Sequence, residues 1–482
     1  MAQSSPAPSH RVVWTFAISS IALFMAALDN LVVTTALPVI RQSFSAGLSE
    51  LEWIVNAYTL TFAVLLLTGA ALGDRFGRKR MFIVGLVIFT AGSAFAALSS
   101  SVNMLIAARA IQGVGGAILT PLTLTILSAA VPKERRAVAL GLWGAVGGLA
   151  IAIGPLVGGA VAEGLAWQWI FWLNVPIGLI AIPLSLYFLT ETYGPKQRLD
   201  LPGLAIITAG LFSLVYGLVR GNDLGWDDPQ IVATLALGVV GILAFVGWEA
   251  RTREPMLPLR LFRSRTFSAA NGVSLLMYFG MFGSIFLLAQ FFQVVQHYSP
   301  FQAGLRTLPW TLMPIFAAPT AGILSTRTGT RPLIVAGMVF QSVALFWLSA
   351  IVTPTVDYAL IVPAFILAGI GMGFYFGPMA NVVLSAVRPE EEGKASGANN
   401  AIREIGGVFG IAVLAAIFSA NGSYQTGQAY VDGMLPALRI GAIVVAVGAV
   451  VALAIGSRAR STAEVTSPAQ DGGVPELDAA AA

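Results

Sequence analysis

The chain becomes sharply polar at one short segment, Gly73-Asp74-Arg75-Phe76-Gly77-Arg78-Lys79-Arg80, which joins two long apolar stretches. Four cations and one carboxylate lie here beside two glycines. Clusters of Arg and Lys between hydrophobic segments mark the cytoplasmic side of a membrane protein. The segment therefore predicts a tight cytoplasmic turn between two membrane-spanning helices. Its carboxylate is placed to act as a latch, that is, to hold one moving part of the protein against another by an electrostatic contact.

The composition of the whole chain agrees with a membrane environment. Of 482 residues, 57% are hydrophobic and only 10% are charged, whereas soluble proteins carry roughly 25% charged residues. A helix needs about 20 apolar residues to cross a ~30 Å hydrocarbon layer. Lipid leaves only helices or closed barrels, and the apolar stretches here are too long and continuous for barrel strands. The sequence predicts an all-α integral membrane protein.

Fourteen membrane spans are predicted, and the first is expected to be retained because no small-residue cleavage site follows it. They run at about 12–36, 51–72, 81–99, 103–131, 137–162, 169–190, 201–219, 230–249, 267–293, 305–325, 332–352, 358–385, 397–420 and 436–456.

The distribution of cations gives the predicted orientation. With the N-terminus placed inside, 21 of the 27 Lys and Arg residues fall at the inner ends of the spans. A missed or extra helix would scramble this bias, so both termini are expected to be cytoplasmic in a multi-pass protein of the cell membrane. The chain from about Ser461 onward is rich in Ala, Pro, Gly and acidic residues and is expected to be disordered.

An internal repeat divides the chain. The residues 322–331 follow the spacing of 70–79 and keep the glycine and the cations, with Thr326 in place of the carboxylate of Asp74. Because the copies follow spans 2 and 10, the second six-helix half begins at span 9 and two spans are inserted between the halves. The predicted divisions are a cytoplasmic N-terminus (1–11), a six-helix bundle (12–192), a two-helix insert with its loops (193–265), a second six-helix bundle (266–457) and a cytoplasmic tail (458–482).

The chain lacks the residues that several classes of function need. The chain has no Cys, and its two His residues, His10 and His297, are far apart, so we expect neither a metal site nor a cofactor. It has no Gly-x4-Gly-Lys-Ser/Thr phosphate loop, and we identify no activated nucleophile or pair of catalytic acids. Without these groups we do not expect an enzyme. The net charge of +4 reflects loop arginines and gives no indication of nucleic-acid binding.

Five motifs resemble those of the major facilitator superfamily, and in particular its fourteen-span drug:proton antiporters. Each lies in the span where that family has it. They are Asp74-Arg75-Phe76-Gly77-Arg78-Lys79 after span 2, Arg109-Ala110-Ile111-Gln112-Gly113 in span 4, Gly154-Pro155-Leu156-Val157-Gly158-Gly159 in span 5, Leu28-Asp29 with Ala36-Leu37-Pro38 in span 1, and Trp167-Gln168-Trp169-Ile170-Phe171 with Asn174-Val175-Pro176-Ile177-Gly178 near span 6. The resemblance covers residues 12 to 456 and implies two six-helix bundles with an inserted pair, a 6+2+6 architecture.

Asp29 and Arg109 are the principal candidates for proton coupling. An ionised carboxylate inside a span costs a few kcal/mol on insertion scales, and the Arg109 guanidinium does not lose its proton. One interpretation makes Asp29 a proton carrier or an anchor for a cationic substrate, with Arg109 approaching it in one conformation and leaving in another. The alternatives are a permanent Asp29–Arg109 ion pair, or an Arg109 that binds nearby carbonyls or reaches the cytoplasmic end.

The loop residues Asp74, Arg75, Gly77, Arg78 and Lys79 are predicted to form a gate. A carboxylate stabilises the N-terminus of a helix through the macrodipole. The resemblance implies that Asp74 approaches the start of span 13, near Ala395–Gly397, and thereby holds the cytoplasmic side shut. The alternative is that the loop only sets topology.

Three further groups complete the candidate residues. Gly154, Pro155, Gly158 and Gly159 predict a kinked span 5 that packs closely on its neighbours, and the resemblance associates this motif with export. Arg403 and Glu404 form a possible polar site in the second half, either a second titratable site or structural contacts at the cytoplasmic end, and as adjacent helical residues they are not expected to pair with each other. Asn56 and Tyr58, with a minority of the second-half aromatics, are candidates to line a hydrophobic pocket: Tyr278, Phe286, Phe291, Phe292, Trp310, Tyr375 and Phe376.

These observations predict a monomeric exporter of small hydrophobic or cationic molecules that works by alternating access, exchanges protons and contacts membrane lipid. The alternatives are an exporter dedicated to one metabolite or lipid and, less favoured, a proton-coupled uptake symporter.

Overall fold

The computed structural model describes residues 10–194, 199–388 and 391–456, and these residues form helices connected by short segments, without a β-strand. The helices are α1 (His10–Phe44), α2 (Leu48–Phe76), α3 (Arg78–Ala97), α4 (Val102–Ala130), α5 (Lys133–Gly164), α6 (Trp169–Trp172), α7 (Asn174–Phe188), α8 (Leu201–Leu224), α9 (Pro229–Glu249), the 3-10 helix η1 (Leu259–Arg263), α10 (Arg265–Val294), α11 (Pro300–Thr328), α12 (Thr330–Ile351), α13 (Tyr358–Ser385), α14 (Glu392–Asn421) and α15 (Gly427–Ala452).

The predicted all-α membrane fold is confirmed. Within the described residues, 14 helical segments are long and apolar enough to cross a membrane, with α6 and α7 together forming one span. Several helices are longer than predicted. The last span begins at Gly427 rather than at Pro436, because Thr426 caps the helix and it continues through the proline. The predicted disordered tail and most of the N-terminal segment lie outside the described residues.

The helices pack as two groups and an added pair. Most helices of α1 to α7 pack on one another, as do most of α10 to α15, while α8 and α9 pair with each other. Large contacts also cross between the groups, because α5 packs on α11 as extensively as on α1, and α2 packs on α14. The pair is fastened to both groups, because α8 contacts α2 of the first and α14 of the second. This arrangement fits the predicted 6+2+6 architecture, and the exact division boundaries stay a prediction.

The sequence repeat has a structural counterpart. In both copies two long helices are separated by a single glycine with a positive φ angle, Gly77 at 107° between α2 and α3 and Gly329 at 83° between α11 and α12. Only glycine adopts such angles without steric cost. The loss of the carboxylate at Thr326 therefore changed the charge of the second turn and left its backbone geometry intact.

We name the helix ends inner and outer by the predicted orientation. The two halves are joined along the outer part of α5, which packs against the outer part of α11. The Thr311 hydroxyl donates a hydrogen bond of 2.8 Å to the carbonyl of Ala152, and the Phe301 amide donates one of 2.9 Å to the Glu163 carboxylate. These contacts close the outer side of the molecule.

The inner part of α5 has a different environment. No atom of the described residues lies within 4 Å of the Cβ positions that substitutions would create at Gly141, Gly144 and Gly148. The side chains of Leu142 and Leu149 are 55% and 45% exposed. The outer half of α5 is therefore packed against both α1 and α11. In its inner half Gly147 still lies against Leu23 of α1, whereas the surface at Gly141, Gly144 and Gly148 has no neighbouring helix among the described residues.

Candidate transport site

Asp29 lies at the centre of a buried polar cluster in the first bundle. Its carboxylate forms an ion pair and hydrogen bond with Arg109, and the second oxygen accepts hydrogen bonds from the side-chain amides of Asn174 at 3.0 Å and Gln112 at 3.2 Å. Asp29 is 3% exposed and Arg109 is fully buried. Four residues from three spans thus satisfy one another away from solvent, as buried charges require.

The remaining contacts of Arg109 fix its guanidinium. Its Nε donates to the carbonyl of Ile54 at 3.2 Å and its Nη1 to the Gln112 amide oxygen at 2.9 Å. The guanidinium carbon lies 4.3 Å from the ring centroid of Tyr58 and 5.8 Å from that of Phe171. Nη2 is buried without a hydrogen-bond partner among the described residues, so the cation keeps one donor free for a further ligand.

Sequence reasoning predicted the two charged members of this cluster and missed their polar partners. Gln112, Asn174 and Ser93, which accepts a hydrogen bond of 2.7 Å from the Gln112 amide, were not predicted as site residues. One available signal was that Gln112 is three residues after Arg109, which places both on one face of α4. In this conformation Asp29 and Arg109 form the ion pair that was one of the predicted alternatives.

Asn56 and Tyr58 lie on α2 beside the cluster. The Tyr58 hydroxyl donates a hydrogen bond of 3.3 Å to the carbonyl of Ala26 on α1, and its ring stacks on Arg109. Asn56 is fully buried, and neither atom of its amide has a partner among the described residues. Tyr58 therefore packs against the polar cluster and contacts Arg109, whereas the amide of Asn56 forms no hydrogen bond with the described residues in this conformation.

The predicted gating loop is bound to its own bundle. Asp74 accepts a hydrogen bond of 2.8 Å from Nε of Arg78 and forms an ion pair with the same guanidinium, with 2.8 Å between Nη2 and Oδ1. The Glu191 carboxylate, which was not predicted, accepts hydrogen bonds from the backbone amides of Lys79 at 2.9 Å and Arg80 at 3.3 Å. Glu191 thereby caps the N-terminus of α3, where the macrodipole favours an anion.

The implied contact of Asp74 with the start of α14 is not among its contacts in the described residues. Its role as a latch stays a prediction for the conformation in which the inner side is closed. The loop cations Arg75, Lys79 and Arg80 also lie at this inner end, where they are consistent with the topological interpretation.

The glycines of span 5 lie against different neighbouring helices. A Cβ at Gly154 or Gly158 would meet α1, at 2.7 Å from the Leu31 Cβ and at 2.7 Å from the Val32 carbonyl oxygen. A Cβ at Gly159 would meet the backbone of α11, at 2.9 Å from the Cα of Phe301. Glycines permit this close approach of helices. The consecutive glycines thus pack α5 on its own bundle and on the opposite one.

Arg403 and Glu404 occupy the inner part of α14. Contrary to expectation they pair with each other, although weakly, with 3.8 Å between Nη2 and Oε1, because the long side chains bend toward one another. The Arg403 guanidinium lies 4.9 Å from the Tyr278 ring centroid. It also lines a cleft with the predicted aromatics Tyr375 and Phe376.

A second, apolar cavity lies between the halves and is walled by residues from five helices. Trp310, Phe365 and Leu31 contribute to it, and the hydroxyl of Thr311 in its wall is already bonded to the backbone. Of the remaining predicted aromatics, Phe286, Phe291 and Phe292 belong to the packed core. In this conformation the cavity is too small for a drug-sized ligand, and its walls are apolar with few polar groups.

The sequence of the chain is matched by the model of the Major Facilitator Superfamily over residues 19–411 and 271–477. The chain belongs to the major facilitator superfamily. Its relatives within the superfamily include the tetracenomycin C resistance and export protein of Streptomyces glaucescens, with 33% identity covering 83% of this chain and 75% of the relative. The multidrug resistance protein Stp of Mycobacterium tuberculosis is 34% identical over 84% of this chain and 76% of the relative.

A superfamily fold is also found among solved structures. A bacterial homologue of the human lysosomal transporter Spinster, in an inward-facing and unoccupied conformation, has a TM-score of 0.66 and 17% identity, covering 93% of this chain and 98% of the other. At this identity the match establishes the fold alone. The relatives are transporters, and the chain is a multi-pass membrane protein of the same superfamily.

Proposed function

We propose that the protein exports hydrophobic or amphiphilic small molecules across the cell membrane in exchange for protons, by alternating access of its two bundles. The observation that carries the proposal is the buried Asp29–Arg109 pair of the first bundle. Its acidic member, Asp29, lies on α1, the helix that also contributes Leu31 to the wall of the apolar cavity. Relatives named for drug resistance and export support the direction of transport.

Coupling follows from the cost of burying charge. While Arg109 contacts Asp29, the carboxylate is stable as an anion. When rearrangement of the bundles withdraws the cation, an unpaired buried carboxylate would cost several kcal/mol and binds a proton instead. The departure of Arg109 and the arrival of the proton are therefore two parts of one exchange, and the protonated Asp29 releases its proton when the pair forms again.

The driving force suffices for useful export. One charge moved through ~100 mV is worth about 2.3 kcal/mol. At about 1.4 kcal/mol per tenfold change, one proton per neutral substrate sustains roughly a fiftyfold concentration gradient. The four threonine hydroxyls in the wall of the cavity all donate to backbone carbonyls. Once enlarged by movement of the bundles, such a wall suits substrates that are recognised by apolar surface rather than by many hydrogen bonds.

The test is dye transport in proteoliposomes with an imposed pH gradient, comparing the wild type with Asp29→Asn. The variant is expected to bind dye, followed by quenching of the protein's tryptophan fluorescence, and to lose the roughly fiftyfold pH-driven accumulation. Asp432→Asn, which removes an exposed carboxylate of α15, serves as the matched control and should transport normally. Full pH-driven accumulation by Asp29→Asn would reject Asp29 as the proton carrier.

A dedicated exporter is the second candidate, because one relative is named for a single antibiotic and another for multidrug resistance. Efflux of a panel of unrelated dyes and antibiotics separates the two. Transport in inverted vesicles decides between export and uptake.

The latch role of Asp74 gives a further prediction. Loss of a carboxylate at a helix N-terminus costs about 1 kcal/mol, so Asp74→Asn should shift the equilibrium about fivefold toward the inner-open conformation. We expect faster maleimide labelling of a cysteine placed at Leu142, and slower efflux. Glu191→Gln is the control, because its bonds lie within the first bundle; equal labelling of wild type and Asp74→Asn would exclude the latch.

A further inference from the structure

Glu52 is a buried carboxylate that the proposed mechanism does not use. It lies in the second turn of α2, near the outer end, and is 2% exposed. Its Oε2 has no hydrogen-bond partner, and Glu52 forms no ion pair among the described residues. An ionised carboxylate in such a position costs several kcal/mol. The geometry therefore requires that Glu52 be neutral in this conformation or lie elsewhere in another.

The residues that follow Glu52 on the same helix face show what this face contacts. Asn56 and Leu60 come one and two turns later, and the amide of Asn56 is also buried without a partner. Leu60 packs in a hydrophobic cluster with Val408 and Ala412 of α14. The same cluster contains Leu211 and Val215 of α8. The polar positions of this face thus lie where α14 of the second half and α8 of the inserted pair pack on α2.

The charged groups around Glu52 do not compensate the negative charge of its ionised carboxylate. Asp223, at the outer end of α8, acts on Glu52 as a like charge and is itself paired with Arg220 at 3.2 Å. Tyr424, in the segment between α14 and α15, lies near Glu52 and stacks on Arg41, with 3.9 Å between the guanidinium carbon and the ring centroid. The like charge of Asp223 therefore opposes ionisation of Glu52. Arg220 is paired with Asp223, and Arg41 lies over the ring of Tyr424 and forms no ion pair with Glu52 among the described residues.

The same region closes the outer side between the bundles. Arg41 of α1 contacts Tyr424 across the junction, and Gln293 of α10 donates a hydrogen bond of 2.8 Å to the carbonyl of Thr35 on α1. When these contacts separate, water from the outside reaches the buried face of α2. Glu52 would then gain the solvation that it lacks here, and its ionised form would become stable.

We propose that Glu52 is a second proton-binding site, which takes a proton from the outside when the outer ends close and returns it to the outside when they open. The proton is not carried across the membrane. Its binding makes closure of the outer side depend on external pH and prevents closure around an unprotonated carboxylate. This proposal rests on alternating access as proposed above, but not on Asp29 as the carrier.

The sign of the pH effect follows from proton linkage. The closed state binds one more proton than the open state, so raising the pH favours opening, by at most about tenfold per pH unit for one group. Glu52→Gln is neutral at every pH. It should keep the outer side closed and remove this dependence.

The chain contains no cysteine, so spin labels attach only to the two cysteines that are introduced, and the distance between them reports opening of the outer side. Cysteines at Ser43 on α1 and Gln425 beside Tyr424 are exposed and lie on opposite sides of the junction. Distance distributions are measured by double electron–electron resonance in lipid nanodiscs, without substrate, from about pH 5 to pH 9. Each series is repeated in an Asp29→Asn background to remove the contribution of that acid.

We expect an open fraction that grows with pH in the wild type and in Glu50→Gln, the control that removes a half-exposed carboxylate from the same helix end. Glu52→Gln should be closed throughout, and Asp223→Asn should keep the pH dependence. A pH dependence that survives in Glu52→Gln, or that is lost in Asp223→Asn alone, overturns the proposal. Outer ends that never separate under any condition would reject alternating access itself, whereas separation without pH dependence rejects only the role of Glu52.

Discussion

Arg109→Gln is expected to destabilise the protein by about 3–5 kcal/mol, the cost of leaving one member of a buried ion pair without its partner. The substitution removes the cation from the Asp29 carboxylate and the donor from the Ile54 carbonyl. The amides of Gln112 and Asn174 still contact Asp29, but they carry no charge. The measurement is the folded fraction during unfolding by sodium dodecyl sulfate in mixed micelles.

Two companion variants separate the effect of charge from the effect of packing. Asp29→Asn combined with Arg109→Gln removes both charges and should recover part of the lost stability. Arg109→Lys keeps the charge but presents one nitrogen, whereas Arg109 uses two nitrogens to reach three acceptors; it should remain destabilised. Arg306→Gln, a partly exposed cation over Tyr298 at 3.5 Å, should cost less than about 1 kcal/mol.

Equal stability of Arg109→Gln and the wild type would show that Asp29 is not held as an anion by this pair. A double variant less stable than Arg109→Gln would show that packing, rather than charge, dominates the cluster. Either result would remove the physical basis for coupling the movement of Arg109 to the protonation of Asp29.

The fold was predictable from the sequence because lipid imposes simple rules. Long apolar stretches had to be helices, and the cations at their inner ends fixed the count of spans. The paired turns at Gly77 and Gly329 followed from a local pattern of glycine and charge. Helix ends are predicted less well, since the predicted last span starts at Pro436, which lies inside α15.

The site was predictable only in its charged members. Asp29 and Arg109 are conspicuous because ionised residues are rare inside spans. Asn174 and Glu191 are ordinary polar residues in sequence, and their importance comes from contacts with residues 145 and 112 positions away. Glu52 was overlooked because it lies near a predicted span boundary, where a carboxylate is unremarkable, and only the packing of α14 and α8 shows that it is buried.

The contact of α5 with α11 leads to the second large prediction, that Gly159→Val prevents closure of the outer side and abolishes transport. A Cβ at Gly159 would lie 2.8 Å from the carbonyl carbon of Pro300 and 2.9 Å from the Cα of Phe301. Both are backbone atoms and cannot turn away as a side chain does. Overpacking of this kind costs typically 1–3 kcal/mol, which at its upper end shifts the closed-to-open ratio about a hundredfold.

The matched control lies on the same helix. Gly148→Val adds the same side chain and the same loss of helix propensity, but no atom of the described residues lies within 4 Å of its Cβ position. We expect Gly148→Val to transport normally, Gly159→Ala to transport more slowly, and Gly159→Val to be folded and inactive, with the spin labels at Ser43 and Gln425 held apart at every pH.

This prediction also tests how the steric contact at Gly159 and the protonation of Glu52 together control closure of the outer side. If Gly159→Val stays open outside, Glu52 remains solvated, and additional substitution by Glu52→Gln should restore closure only in part, because the steric barrier is independent of charge. Transport by Gly159→Val at the wild-type rate would mean that α5 and α11 do not approach this closely during the cycle. The outer closure would then rest on the contacts of α1 with α10 and Tyr424, and the glycine motif would serve only the packing of α5 on α1.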